Sequence, residues 1–164
     1  MLVVIYETKF TSLFSVICSL VTASGYSHGA ILNNGVLYDT TFSRGHFDLA
    51  PPVDDNRKVA VIEINGDCDE WIAANLGTKY DTFGLLFWFF RVATAGRMYC
   101  FNVVEKALSS NNVHLDLKWR KSGGNILTAL LSKDYEVKVL MGKKFNERYL
   151  KKDTLQKRCQ QRKS

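Results

Sequence analysis

The chain has 164 residues, 46% of them apolar and 12% aromatic, with a formal net charge of +6. That length supports one domain with a core of its own, and the composition excludes global disorder. The four cysteines, at 18, 68, 100 and 159, form no CxxC pair; this argues against a disulfide framework or a zinc site and suits a reducing compartment.

Charge is unevenly spread. Residues 143–164 hold nine Lys or Arg against Glu147 and Asp153, a net of +7, while the remainder carries 13 basic and 14 acidic residues. The expected organisation is a nearly neutral body, 1–142, followed by a basic C-terminal tail, 143–164. The tail accounts for the positive balance, so the body does not read as a nucleic-acid-binding fold. The tail itself is expected to be solvated, or to bind an acidic partner or nucleic acid through its charge. The N-terminal residues lack the basic region of a signal peptide. The apolar stretch from Phe10 to Ala23 covers 14 residues, short of the roughly 20 that span a bilayer. A protein without a transmembrane segment, in the cytoplasm, is expected.

Leu2 to Tyr6 reads as a buried strand. Phe10 to Val21 places apolar residues at 10, 13, 14, 17, 20 and 21, the spacing of an amphipathic helix, with Cys18 as a packing residue beside the stripe. Two apolar runs then flank Asn34-Gly35, the dipeptide best suited to a type I′ hairpin turn. Counting outward, Asn33 faces Val36, Ala30 faces Asp39 and His28 faces Thr41. Alternation puts His28, Ala30, Leu37, Asp39 and Thr41 on one face, so the Asp39 carboxylate lies diagonally beside the His28 imidazole. That geometry orients a histidine as a general base.

An irregular loop is expected over 42–56 and a strand from Val59 to Ile64. A helix beginning at Asp67 would be closed by a capping box with Glu70. Thr82 to Ala93 is apolar nearly all round, as a central helix would be, with Asp81 at its start. After the turn at Gly96-Arg97-Met98-Tyr99, a helix from Cys100 to Ser109 follows. Val113 to Lys118 alternates like an edge strand, Gly123 to Leu131 reads as a short helix, and Tyr135 to Met141 as a last strand. His114 belongs to the solvated side of its segment, and His46 to a surface loop.

The helix starting at Cys100 is where a nucleophile for His28 is expected. A cysteine at a helix N-terminus meets unpaired backbone N–H groups and the positive end of the macrodipole, both of which favour thiolate. The same N–H groups can receive an oxyanion. Cys68, by contrast, sits in an acidic helix start that disfavours thiolate, and Cys159 lies in the tail.

The motif Tyr26-Ser27-His28-Gly29-Ala30-Ile31, followed by Tyr99-Cys100-Phe101-Asn102-Val103-Val104-Glu105-Lys106-Ala107-Leu108, resembles the circularly permuted papain-like cysteine hydrolases of the NlpC/P60 superfamily. That group includes the YiiX-like proteins and small chains of tailed bacteriophages. Trp71, Gly77, Tyr80-Asp81 and Gly84 resemble a further segment of the family, and Ile126 to Leu131 its short leucine-rich helix. The resemblance covers residues 1–142 and departs at Phe101-Asn102, where many relatives have a small residue and then Glu.

The fold implied is α+β, an antiparallel sheet packed against helices with the cysteine at a helix N-terminus. The activity implied is that of a cysteine amidase or peptidase needing no cofactor or metal, acting on a peptide, peptidoglycan or protein. Cys100 would be the nucleophile, His28 the base and Asp39 its orienting group, with Tyr26, Tyr99 and Thr41 as cleft candidates. The alternatives are an inactive relative that binds a host or virion partner through the cleft or the basic tail, and an assembly component.

Overall fold

In the computed structural model, residues 1–82, 95–117 and 121–151 are described. Asn34 and Gly35 have φ of 50° and 75°, the doubly positive turn that matches the twist of two antiparallel strands. They join β2 (Tyr26–Asn33) to β3 (Val36–Thr40) in the expected register, Asn33 opposite Val36 and Ala30 opposite Asp39. Around this hairpin stand β1 (Leu2–Glu7), β4 (Phe47–Leu49), β5 (Lys58–Glu63) and β8 (Val137–Met141), giving an antiparallel sheet ordered β4-β3-β2-β1-β5-β8. Two short strands, β6 (Lys79–Tyr80) and β7 (Arg97–Met98), pair separately in parallel.

The strands are apolar on both faces because both faces are covered. Val3, Ile5, Ile31, Ala60 and Ile62 meet the helices in one core. Leu2, Val4, Ala30, Leu32, Leu37, Val59 and Val61 form a second core with Ala50, Val53, Phe145 and Leu150. The helix side carries α1 (Leu13–Val21), α2 (Asp69–Asn75), α3 (Cys100–Ser110) and α4 (Gly123–Leu131). Of these, α3 lies closest to β2. A Cβ on Gly29 would sit 3.0 Å from Val104 and 3.1 Å from Phe101, so the missing side chain lets helix and strand approach.

Several expectations are corrected. The first helix begins at Leu13, not Phe10, because the Ser12 hydroxyl accepts the Ser15 N–H at its start. Its expected inner stripe is largely outside: Phe10 and Leu13 are 82% and 77% exposed, and Leu20 is exposed too. The face turned inward carries Ser15, Cys18 and Thr22. The hydroxyls of that face are satisfied, Ser15 by Ser27 at 2.6 Å and Thr22 by the Cys18 carbonyl at 2.8 Å, which makes its burial tolerable. The capping box at Glu70 does not form. Helix α2 starts at Asp69, and the Asp67 carboxylate accepts the Asp69 N–H instead.

Residues 113–117 form no strand. Val113, Leu115 and Leu117 pack on the core while His114 and Asp116 are exposed, so alternation here records a surface-laid segment that pairs with no strand among the described residues. The central helix expected over Thr82 to Ala93, and with it Trp88, falls almost wholly on residues outside the described ones.

The expected division at 142/143 does not coincide with the end of the packed structure. A further helix, α5 (Gly142–Tyr149), docks on the second face of the sheet, with Phe145 fully buried and Leu150 buried beside it. Asn146 secures it by bonding the Val53 N–H at 3.0 Å and the Val53 carbonyl at 2.7 Å. The sequence pattern concealed this helix because it offers a single buried aromatic among charges. Phe145→Ala should therefore cost about 3–5 kcal/mol of stability, read as a lowered urea midpoint with an unchanged slope.

Candidate functional site

A cavity of about 610 Å³ opens at the end of the sheet where β1 finishes and β2 begins, and both sheet faces contribute to its wall. His28, Asp39 and Tyr6 border it from one side; Cys18, Tyr80 and Cys100 border it from the side of the helices. The loop residues Thr41, Phe42, Pro51 and Pro52 complete much of the rim.

The strand β2 is irregular here. Tyr6 pairs with His28 but Glu7 pairs with Tyr26, so Ser27 is an extra residue in the ladder. Such a bulge bends a strand and re-aims its side chains. Its position beside His28 gives both Ser27 and His28 access to the cavity, although neighbours in a regular strand point to opposite faces.

His28 Nε2 lies 2.7 Å from Asp39 Oδ2. With Asp39 ionised, Nε2 carries the proton and donates it, and Nδ1 is left as the basic nitrogen. The imidazole also rests against the Tyr6 ring, with centroids 5.1 Å apart. Asp39 is buried and takes a second partner, the Arg44 guanidinium, at its other oxygen. A buried carboxylate needs such partners to remain charged. The Asp39 pairing was legible from the hairpin register; Arg44, five residues further along, was not.

Cys100 is the first residue of α3 and is buried. Tyr99 precedes it in extended conformation, and the Asn102 and Val103 amides bond back to the Tyr99 carbonyl. The amides of Cys100 and Phe101 are those that a helix start leaves without an intrahelical acceptor. Among the described residues no hydrogen bond joins Cys100 to His28, and the body of α3 packs on the face of the sheet opposite the His28 side chain.

The structure brings Cys100, His28, Asp39 and Thr41 to one cavity. Thr41 lies one residue beyond the end of β3, so its facing of His28 falls outside the paired ladder. The other two cleft candidates lie elsewhere. Tyr99 is buried in the helix-side core, and Tyr26 packs against that core and Gly123. Adjacency in sequence to Cys100 and His28 did not bring either tyrosine to the cavity wall.

Sequence reasoning also missed Arg57, Ser15 and Tyr80. Only Ser15 and Tyr80 left a trace: a serine on an apolar helix, and a tyrosine in the Tyr80-Asp81 pair. Burial pushes the Tyr6 and Tyr80 hydroxyls well above the ordinary tyrosine range, so both remain protonated. Among the described residues no cluster of three or more His, Cys, Asp or Glu is arranged to hold a metal, and no helix is long and apolar enough to cross a membrane.

No family model, curated protein or solved structure matches the chain.

The other two described cysteines, Cys18 and Cys68, are held as neutral thiols. Burial pushes Cys18 up to about 12, with Cys100 adding to the effect. Burial pushes Cys68 up to about 12 as well, with Asp69 and Asp67 raising it and the N-terminal ammonium opposing. Both are acids whose folded values lie above the ordinary 9.0, so the fold favours the neutral thiol. Their contribution is fully present below about pH 9 and is lost as pH rises toward 12. Urea denaturation under reducing conditions should show stability falling between pH 9 and pH 11, by up to about 1.4 kcal/mol per pH unit for each thiol. Cys18→Ala should flatten part of that slope.

Proposed function

We propose that the chain is a thiol hydrolase that cleaves an amide bond, with Cys100 as nucleophile, His28 as its base and Asp39 holding the imidazole. The observation that carries this reading is the 2.7 Å His28–Asp39 bond in the same cavity that Cys100 borders. A base whose far nitrogen is fixed by a carboxylate has one tautomer and one orientation, which is what proton transfer from a thiol requires.

This reading implies the following steps. His28 Nδ1 takes the Cys100 proton, and the thiolate attacks the carbonyl carbon of the amide. The tetrahedral oxyanion is received by the amides at the start of α3. The imidazolium, stabilised by Asp39, returns its proton to the leaving amine, and a thioester remains on Cys100. Water, deprotonated by His28, then attacks the thioester carbonyl; the C–S bond breaks, the acid is released, and the departing Cys100 sulfur takes the proton back from His28. The substrate class is a peptide, peptidoglycan or protein amide, in keeping with the resemblance to permuted papain-like hydrolases.

A second reading has its own support. The missing Cys100–His28 hydrogen bond and the packing of α3 on the opposite face favour a cleft that binds a partner without turnover. On that reading the chain is an accessory protein that uses the cavity, or its basic C-terminal residues, for recognition.

Alkylation by iodoacetamide separates the two. The hydrolase reading predicts fast labelling of Cys100 below about pH 7, abolished in Cys100→Ala and slowed about tenfold or more in His28→Ala. Labelling with the pH dependence of an ordinary thiol, near pKa 8.5, and unchanged by His28→Ala, would overturn it in favour of the binding reading.

A further inference from the structure

The cavity contains a cation, Arg57, that makes no ion pair among the described residues. Arg57 precedes β5 and lies on the cavity wall. Its backbone is fixed from both sides, the N–H donating to the Asp54 carbonyl at 2.9 Å and the carbonyl accepting from Gly142 at 2.8 Å. Its side chain is equally constrained. Nε donates to the Glu7 carbonyl at 3.0 Å, Nη2 donates to the Ser27 hydroxyl at 3.0 Å, and the guanidinium lies over the Tyr6 ring at 4.8 Å.

None of these partners neutralises the charge. The two carboxylates of the cavity wall are already engaged: Asp54 is paired with Lys9 at 2.5 Å, and Asp39 with Arg44 and His28. Among the described residues Arg57 makes no ion pair. Burial works against its charged form, while Tyr6, Asp54 and Cys100 lie near enough to support it. A guanidinium has five N–H donors, and the two bonds from Nε and Nη2 leave three unused. The Ser27 hydroxyl that fixes Arg57 is itself held by Ser15 at 2.6 Å, and Ser15 accepts the Lys9 N–H at 2.8 Å. The result is a constrained, half-buried guanidinium, with donors left over among the described residues, lining the same cavity as Cys100.

We infer that Arg57, positioned by Ser27 and Ser15, is a carboxylate-binding subsite of the cavity, so that the amide cleaved at Cys100 belongs to a substrate bearing a free carboxylate. Paired N–H donors on a planar guanidinium match a carboxylate in two-point fashion, and a partly dehydrated site strengthens that contact relative to water. Substrate charge would complete the electrostatics that the fold leaves open. The substrate class rests on the hydrolase reading; the carboxylate site itself does not.

Two alkylating reagents of almost the same shape test this directly. Iodoacetate carries a carboxylate where iodoacetamide carries a neutral amide. Rates at Cys100 are read by peptide mass spectrometry and divided by the rates of free cysteine with the same reagent. The parent should show a preference for iodoacetate about tenfold above free cysteine. Arg57→Gln should abolish that preference, and Arg57→Lys, which keeps the charge, should retain part of it. A parent ratio equal to that of free cysteine, or a preference unchanged in Arg57→Gln, would overturn the subsite.

The iodoacetamide rate alone reports the hydrolase reading, so the two ideas fail separately. If Cys100 reacts with neither reagent, titration of the 15N-labelled full chain with N-acetylglycine supplies the readout. Saturable shifts at the Arg57 Nε resonance and the Ser27 amide, with the Ser27 shift absent from Arg57→Gln, sustain the site; no saturable shift in the parent refutes it. Circular dichroism and the urea midpoint establish that each variant is folded.

Discussion

The pairing of His28 with the buried Asp39 depends on a register set by two residues at the hairpin tip. The positive φ angles of Asn34 and Gly35 close a two-residue turn, and every facing pair down the hairpin follows from that closure. A slip of one residue would turn Asp39 toward the helices and Leu37 away from its core. Both faces penalise such a slip, since Leu37 is packed with Leu2, Val4 and Val59. The carboxylate is thus held in the interior by the same apolar contacts that hold the strand. Once inside it requires partners, and His28 and Arg44 supply them.

The covering of both sheet faces has a consequence for the site. Helices on one face and α5 with the Ala50–Val53 segment on the other leave the sheet end as the place where both layers are open to a ligand. The bulge at Ser27 lies there, and it lets consecutive residues serve one cavity. Ser27 turns to Ser15 and Arg57, while His28 turns to Asp39 and Tyr6. Hydroxyls, an imidazole, a guanidinium and a thiol converge from elements far apart in the chain. Such convergence of polar groups in an otherwise apolar hollow is the usual character of a ligand site.

The first helix illustrates how pattern and packing part company. Its apolar residues at 10, 13, 17 and 20 recur as a core-facing stripe would, yet Phe10, Leu13, Ile17 and Leu20 are all exposed. Periodicity establishes that one face is apolar; it does not establish which face meets the sheet. The decision fell to Ser15, whose hydroxyl finds Ser27 across the interface, and to Cys18, small enough to pack closely there. The segment at 113–117 gives the same lesson for alternation, which requires a pairing partner before it becomes a strand. Residues 142–150 give the converse: a charged stretch whose single buried aromatic, Phe145, decides that it docks.

By itself the sequence determined the hairpin, its register, and hence the proximity of His28 to Asp39, because turn chemistry and strand alternation act over a few residues. It also determined that Cys100 begins a helix, since the turn at residues 96–99 and the apolar spacing after it are local. Only the tertiary structure decided that Cys100 and His28 approach one cavity from different sides of a sheet, and that Tyr26 and Tyr99 do not line it. It alone placed Arg57 on the cavity wall, with Ser27 and Tyr6 holding it and no ion pair to it among the described residues. These are relations between residues up to seventy-odd positions apart. They are fixed by how layers pack and by which buried charges find partners, and neither is written in any single stretch of the chain.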